Sequence, residues 1–396
     1  DAMRAAIVDR SAGRLYRSLA SQYFQPQNIF IQHGSINDRA TFYGREALLT
    51  LLGDATSRGD AALVTGLRKS GKSSLLRLMR QHQPELPWCW VDLQRYDPRR
   101  EDWPTLLFSE IVSAVDGWGR ATLSPEQWSP SESRPVTTAS ALADAMRSRL
   151  ECMRANGIVS PRVVLVLDEL ERVLPRTSDP EVNRRWIRAT GALRQAVETG
   201  ERWLTILAAD LRPTAARLNI LPSGETNPFY QFFREVPLPL FTPEQSREML
   251  AGLGEIMGIR EIAPAFHERL HAITAGHPYL TRLIAGRCYE QAPDTTKLTE
   301  ADLERGLDEM DERWELGSFY EQNLWSFATD AERALLRWVD RTGQPAGRRP
   351  PPELKLRRSE WMAARAALTD QGILKDGEVV LGGFQEWMHE EFSGAA

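Results

Sequence analysis

The chain has 396 residues, of which 42% are hydrophobic and 26% are charged, which is the usage of an ordinary soluble protein of about two or three domains. Its net charge of -5 argues against a general affinity for nucleic-acid backbones, so any such contact would have to be local. No apolar run reaches the roughly 18 residues that a membrane span needs, and the N-terminus lacks a signal-peptide pattern. These features predict a cytoplasmic protein without membrane contact. Cys89, Cys152 and Cys288 lack metal-ligand spacing, so we expect reduced thiols in or near the core.

The first 241 residues alternate between apolar runs and amphipathic segments. Loosely helical spacing predicts an N-terminal helix over residues 1–20, followed by an extended lead-in to a helix that begins near Glu46. Strands are predicted at 62–65, 88–93 and 163–168, in WLTILAAD, and in REVPLPLF, which its prolines limit to a sheet edge or end. Helices are predicted to begin at Lys72, to span 106–115, to run from the end of the following loop to about Ala155, and to span 181–197. That loop, from Gly117 to Thr138, is predicted to lie on the surface. This alternation predicts a parallel sheet that is covered on both faces.

The remaining residues follow a different pattern. From Thr242 to about Leu316 the sequence predicts helices only, with TPEQSREML as a capped start. Residues 327–396 predict two or three helices and a hairpin at Asp376-Gly377. Helices followed by a hairpin indicate a winged helix. Because the chain starts at Asp1 rather than Met, whether it is part of a longer protein stays open.

The stretch GLRKSGKS, from Gly66 to Ser73, matches the phosphate-binding pattern G-x-x-x-x-G-K-[ST] and lies between a predicted strand and a predicted helix. Gly66 and Gly71 allow backbone N–H groups to face a phosphate, and the helix start at Lys72 adds its dipole. We expect Lys72 to reach the β and γ phosphates of ATP, or the β phosphate of ADP, and Ser73 to bind Mg2+.

Other residues of the loop have less defined roles. Ser70 and Ser74 complete the predicted nucleotide contacts. Lys69 is a further candidate for a phosphate contact, and the alternative for Lys69 and Arg68 is that they point into solvent.

Two carboxylates follow the predicted strand at 163–168. Asp168 is expected to hold Mg2+ through its waters, and Glu169 is placed to orient and deprotonate an attacking water. A polar strand end without a catalytic task is the alternative. The pair favours nucleotide hydrolysis over binding alone.

The stretches FYGRE, GLRKSGKSS, VLVLDELERVL, WLTILAADLR and AGHPYLTRL, in this order, resemble the STAND ATPases, which are signal-transduction ATPases with numerous domains. The resemblance runs from about Asn28 to the C-terminus and includes the origin-recognition ATPases of the AAA+ group. It implies an α/β P-loop NTPase fold with an ASCE or AAA+-like parallel sheet, followed by an α-helical lid and a winged-helix domain. The implied division is a lead-in over 1–40, an ATPase domain over 41–241, a lid over 242–326 and a winged helix over 327–396.

The resemblance also implies further nucleotide contacts. Gly44, Arg45 and Glu46 would lie over the nucleotide with Tyr43 or Phe42 near the base, unless Arg45 is simply a solvated residue at a helix start. In the motif Gly276-His277-Pro278, Pro278 would pack against the adenine, although proline is also ordinary in a first helical turn, and His277 receives no role.

Two more contacts are implied near the phosphates. Arg212 or Asp210 would sense the γ phosphate. His389 in WMHEEF would touch the ADP phosphate, with Glu390 replacing the Asp of the related motif, or it is a surface histidine on the last helix.

These implications favour a slow, regulatory ATPase that is locked by ADP at rest and that opens or forms homo-oligomers on activation. Effector and sensor regions would lie outside this chain, in prokaryotic signalling or antiviral defence. One alternative is a DNA-binding ATPase that uses a basic surface at Arg337, Arg341, Arg348, Arg349, Lys355, Arg357, Arg358 and Arg365. Another is a ring-forming AAA+ remodelling enzyme, for which no arginine finger is singled out. DNA is the less favoured partner because the chain is acidic.

Overall fold

The structure is a computed structural model that describes residues 27–32, 34–131, 135–198 and 202–392. The N-terminal helix predicted over residues 1–20 lies outside this range. The chain divides into two compact units. The sheet unit comprises Ala47–Thr65 and Leu75–Pro237, and the loop-and-lid unit comprises the described residues up to Glu46, Gly66–Ser74 and the residues from Leu238 onward. The predicted four-part division stays a prediction.

A five-stranded parallel sheet forms the centre of the sheet unit. Its strands are β1 (Ala62–Thr65), β2 (Trp88–Asp92), β3 (Val163–Asp168), β4 (Leu204–Asp210) and β5 (Arg234–Pro237). They lie in the order β2-β3-β4-β1-β5, and every neighbouring pair is parallel. Strand β4 is buried along its whole length, as expected for a strand covered on both faces. The predicted parallel sheet is therefore confirmed, and the proline-containing strand β5 lies at its edge.

The helices that accompany the sheet correct one prediction. They are α1 (Glu46–Arg58), α2 (Lys72–His82), α3 (Trp103–Thr122), α4 (Ala139–Ala155), α5 (Pro180–Glu198) and α6 (Thr214–Arg217). The surface loop predicted from Gly117 is wrong for its first residues, because α3 continues to Thr122. The Trp128 ring lies against Gly119, and its centroid is 6.3 Å from that of Trp118 in an edge-to-face contact. This aromatic packing outweighs the polar composition of the segment.

The middle of the loop-and-lid unit is mainly helical. It contains α7 (Pro243–Met257), β6 (Glu261–Ile262), α8 (Pro264–Thr274), α9 (Pro278–Gln291), β7 (Lys297–Leu298), α10 (Glu300–Glu312) and α11 (Glu315–Asn323). The prediction of helices only is wrong at β6 and β7, which pair in parallel. The Ala263 N–H also donates to the Leu298 carbonyl at 2.9 Å. Two connections between helices thus satisfy each other's backbone groups, which local sequence patterns do not reveal.

The C-terminal part of this unit has the predicted helices and hairpin. They are α12 (Asp330–Thr342), α13 (Arg358–Asp370), β8 (Leu374–Lys375), β9 (Glu378–Val379) and α14 (Gly382–Phe392). The hairpin is confirmed: Asp376 and Gly377 have φ values of 53° and 92°, the left-handed pair that a tight two-residue turn requires. Trp361 and Phe384 join the buried core of the same unit. Across the described residues, no helix is long and apolar enough to cross a membrane.

Candidate nucleotide-binding site

The phosphate loop connects β1 to α2, and its backbone explains the glycines of the motif. Gly71 has φ 101°, a conformation that residues with a side chain rarely adopt. A Cβ on Gly66 would lie 3.1 Å from both the Leu238 carbonyl oxygen and Ser70 Oγ. Ser70 is buried, and among the described residues its hydroxyl has no hydrogen-bond partner. The loop therefore keeps a buried donor at the place where the sequence predicts a phosphate.

The side chains at the start of α2 differ in their surroundings. Lys72 Nζ donates to the carbonyl oxygens of Gly66 and Leu67 at 2.9 and 2.8 Å, so its ammonium lies across the loop. Ser73 is half-buried in the first helical turn. Ser74 is buried, and its Oγ accepts the Ile36 N–H at 2.9 Å, which ties the lead-in segment to the loop. Of these residues, Ser74 has a structural task that the sequence did not predict.

Tyr43 and Arg45 are buried rather than solvated. The Arg45 side chain donates to the Pro239 carbonyl at 2.5 Å, and its guanidinium lies 4.5 Å from the centroid of the Phe241 ring. Arg45 is only 4% exposed, and this burial lowers its pKa to about 10. Tyr43 packs on Gly252, where a Cβ would overlap the phenol. The structure therefore excludes the solvated position considered for Arg45.

His277 is fully buried at the N-terminus of α9, directly before Pro278. Its Nε2 lies 2.9 Å from the Arg68 carbonyl oxygen of the phosphate loop, and its Nδ1 accepts the Leu280 N–H at 3.4 Å. These partners assign a neutral imidazole with its proton on Nε2, because a carbonyl can only accept. Burial is the largest cause that lowers the pKa of His277, to about 4. Pro278 occupies the first helical position, where proline is common.

A four-residue segment, Leu238–Phe241, contacts all three motifs of the loop-and-lid unit. The Leu238 carbonyl lies against Gly66, and the Pro239 carbonyl accepts from Arg45. The Phe241 N–H donates to the Gly276 carbonyl at 2.9 Å, and a Cβ on Gly276 would overlap the Phe241 carbonyl. We call this the convergence segment. In the sequence this segment was predicted as part of the strand REVPLPLF, but β5 ends at Pro237.

The acidic candidates belong to the sheet unit. Strand β3 ends at Asp168, and β4 ends at Asp210, which lies in register with Thr65 at the end of β1. Thr65, the last residue of β1, therefore lies at the same carboxyl-terminal end of the sheet as the two carboxylates. Arg212 follows Asp210, and the Arg212 N–H donates to Asp210 Oδ1 at 3.2 Å.

Glu169 adopts a left-handed conformation, with φ 58° and ψ 52°. Its Oε2 accepts from Arg172 Nε at 3.0 Å, and its Oε1 accepts from the side-chain amide of Gln94. In this arrangement the carboxylate faces a cation and an amide. Each carboxylate oxygen can accept a second hydrogen bond, so Glu169 can also accept one from a water.

His389 lies on α14, and its side chain is 70% exposed. Its Nδ1 is 3.6 Å from Asp340 Oδ2, which belongs to α12. The structure thus places the predicted phosphate contact on an exposed helical face.

The residues predicted to bind Mg2+ carry oxygen donors. Across the described residues, no group of three or more His, Cys, Asp or Glu side chains could hold a metal ion. Mg2+ instead commonly keeps several waters and binds one or two protein oxygens together with nucleotide phosphates. The Ser73 hydroxyl and the Asp168 carboxylate are oxygen donors of the kinds that Mg2+ prefers.

Comparisons with known proteins agree with this architecture. The family model described as Novel STAND NTPase 1 matches residues 33–260. The Walker-type ATPase PABY2304 of Pyrococcus abyssi is 16% identical, with a TM-score of 0.57 over 91% of this chain and 99% of that chain. This likeness concerns the fold alone.

Two more distant structures also align over most of this chain. The RuvB Holliday junction branch migration motor of Thermotoga maritima is 14% identical, with a TM-score of 0.46 over 90% of this chain and 97% of its own. The ORC2 protein of Aeropyrum pernix is 11% identical, with a TM-score of 0.42 over 93% of this chain and 99% of its own. No curated protein matches the sequence.

Proposed function

Because the chain belongs to the novel STAND NTPase 1 family, whose model covers residues 33–260 of 396, we propose that it is an ATP- and ADP-binding switch. On this proposal it hydrolyses ATP slowly, rests with ADP bound, and opens or forms oligomers on activation in prokaryotic signalling or defence. Effector and sensor regions outside this chain would supply the signal and the response. The match confirms the resemblance to STAND ATPases that the sequence motifs indicated.

The contacts of the convergence segment are the main support for a nucleotide-dependent switch. This segment contacts Arg45, Gly66 and Gly276, each from a different one of the predicted nucleotide motifs. A nucleotide that binds both the phosphate loop and the lid would therefore contact two regions that the convergence segment already connects. Such a ligand shifts an equilibrium between closed and open forms by the difference in its affinity for the two.

The proposed chemistry assigns each residue a separate task. Lys72 would leave the loop carbonyls and bind phosphate oxygens, and Ser70 would donate its buried hydroxyl. Mg2+, when bound, would neutralise phosphate charge, with Ser73 and Asp168 as its protein oxygens. Glu169 would orient and deprotonate the attacking water. Arg212 would respond to the charge of the γ phosphate.

Replacing Lys72 with alanine tests the nucleotide site. We expect Lys72→Ala to lose binding of both ATP and ADP, because it removes the cation that the loop would present to the phosphates. Isothermal calorimetry on the full chain measures this, and the exposed lysine variant Lys375→Ala is the matched control. Unchanged nucleotide affinity in a folded Lys72→Ala protein would reject the phosphate-loop assignment.

Several arginines of the basic surface already have intramolecular partners, which favours the switch over DNA binding. Arg357 pairs with Glu360 at 2.6 Å, and Arg365 donates to the Ala346 carbonyl at 2.9 Å. We expect no strong duplex binding near physiological salt, measured by fluorescence anisotropy. A sub-micromolar affinity that falls steeply with salt and disappears in Arg358→Glu would instead support the DNA-binding alternative.

A further inference from the structure

The phosphate loop carries a second lysine whose contacts lie on the lid. Lys69 has φ 57°, so its backbone is left-handed although it is not glycine. Its Nζ lies 4.0 Å from the centroid of the Tyr279 ring and 5.5 Å from that of Phe319. These two rings are stacked, with centroids 5.5 Å apart and planes inclined by 15°. The ammonium therefore rests on a pair of aromatic faces rather than standing free in solvent.

The residue before Lys69 is held by the same part of the protein. The Arg68 guanidinium lies 4.2 Å from the centroid of the Phe327 ring, and the Arg68 carbonyl accepts from buried His277. His277 in turn makes an edge-to-face contact with Phe319 at 5.6 Å. Both loop cations thus face aromatic rings, and the hydrogen bond from His277 to the Arg68 carbonyl fixes the loop backbone against the start of α9.

From this geometry we infer that Tyr279 is a positioning residue that sets the preference for a nucleoside diphosphate over a triphosphate. Lys69 cannot keep its place above the Tyr279 ring and also move to a γ phosphate. A triphosphate gains the Lys69 charge only after the cation–π contact is broken, whereas a diphosphate leaves that contact in place. Tyr279 therefore selectively weakens triphosphate binding. This inference rests on the proposed nucleotide site and adds a specificity determinant that directly follows Pro278 in the lid.

The size of the effect follows from the contact. A cation–π interaction of this kind corresponds to a factor of roughly 2 to 30 in affinity, depending on how well it is shielded from water. We expect Tyr279→Leu to bind a non-hydrolysable ATP analogue about 2- to 30-fold more tightly relative to ADP. Tyr279→Phe keeps the ring and should retain the preference of the parent protein.

A double-mutant cycle separates this contact from a general effect on the lid. In a Lys69→Met background, Tyr279→Leu should no longer change the ratio of ATP-analogue affinity to ADP affinity, because the cation is missing. Calorimetric titrations of the four full-length proteins with Mg2+ and each nucleotide provide the cycle. The inference is overturned if Tyr279→Leu changes both affinities equally, or if its effect persists without Lys69.

Two control variants test for a folding defect and for loss of the nucleotide site itself. Tyr279→Met fills the same space without an aromatic face, and it replaces Tyr279→Leu if that variant fails to fold. Lys72→Ala is titrated in parallel. If Lys72→Ala loses both nucleotides while the cycle shows no coupling, only the Tyr279 inference fails; if Lys72→Ala binds normally, the proposed nucleotide site itself fails.

Discussion

Replacing His277 with asparagine should flatten the dependence of folding stability on pH. The folded protein holds His277 neutral, with its pKa lowered from 6.5 to about 4, mainly by burial and secondarily by nearby Lys72. Between these two values the unfolded chain binds a proton that the folded chain excludes. The stabilisation is therefore complete above pH 6.5 and is lost as the pH falls toward 4. The difference between the pKa values of His277 in the unfolded and folded protein corresponds to a loss of roughly 3 kcal/mol of folding stability at the acidic end of this range.

Asparagine changes the pH-independent part of the stability as well. It can accept the Leu280 N–H as a helix cap, but it is too short to reach the Arg68 carbonyl, which costs about 1 kcal/mol or more. Near neutral pH, the parent protein should therefore be more stable than His277→Asn. On acidification the difference should shrink by up to roughly 3 kcal/mol, and it can change sign.

Urea unfolding of both proteins at several pH values between about 4.5 and 7.5 measures this difference. The pKa of His267 is also lowered to about 4, chiefly by burial, but His267 is present in both proteins and cancels in the comparison. A stability difference that stays constant across the pH range would refute the buried, neutral assignment of His277.

Two further substitutions test the backbone at Gly276 and the proposed base. Gly276→Ala should lower the unfolding free energy by roughly 2 kcal/mol or more, because Gly276 has φ 76° and its Cβ would overlap the Phe241 carbonyl. Gly343→Ala, at φ 62° with open space around the Cβ, should cost less, and thermal melting of the pair measures the difference. Glu169→Gln should retain ATP binding but slow single-turnover hydrolysis by ~10²-fold or more, whereas Glu171→Gln should not. Equal hydrolysis rates in Glu169→Gln and the parent would remove the base from the mechanism.

Local rules determined several parts of this protein from the sequence. The spacing of Gly66, Gly71, Lys72 and Ser73 specifies a loop between a strand and a helix, because each residue type suits a conformation or contact that the local backbone requires. Asp376-Gly377 specifies a hairpin for the same reason. The alternation of apolar strands and amphipathic helices specifies the parallel sheet, and the order of the motifs indicates the family.

Tertiary contacts decided the features that these rules missed. Helix α3 extends past Gly117 because Trp128, which lies beyond its end, packs on it. Strands β6 and β7 exist because two connections between helices pair with each other, although they are separated along the chain by α8 and α9. Neither effect leaves a local period in the sequence.

The candidate site also combines features set by the local sequence with features set by tertiary contacts. The phosphate loop was predicted from its own local pattern, whereas Arg45 and the Gly276-His277-Pro278 motif were singled out by the resemblance to STAND ATPases. The sequence did not identify the convergence segment or the contact between Lys69 and Tyr279, which join residues about 200 positions apart. Such contacts depend on how the chain folds back on itself, because burial and hydrogen bonding are satisfied by whichever groups the fold brings within reach.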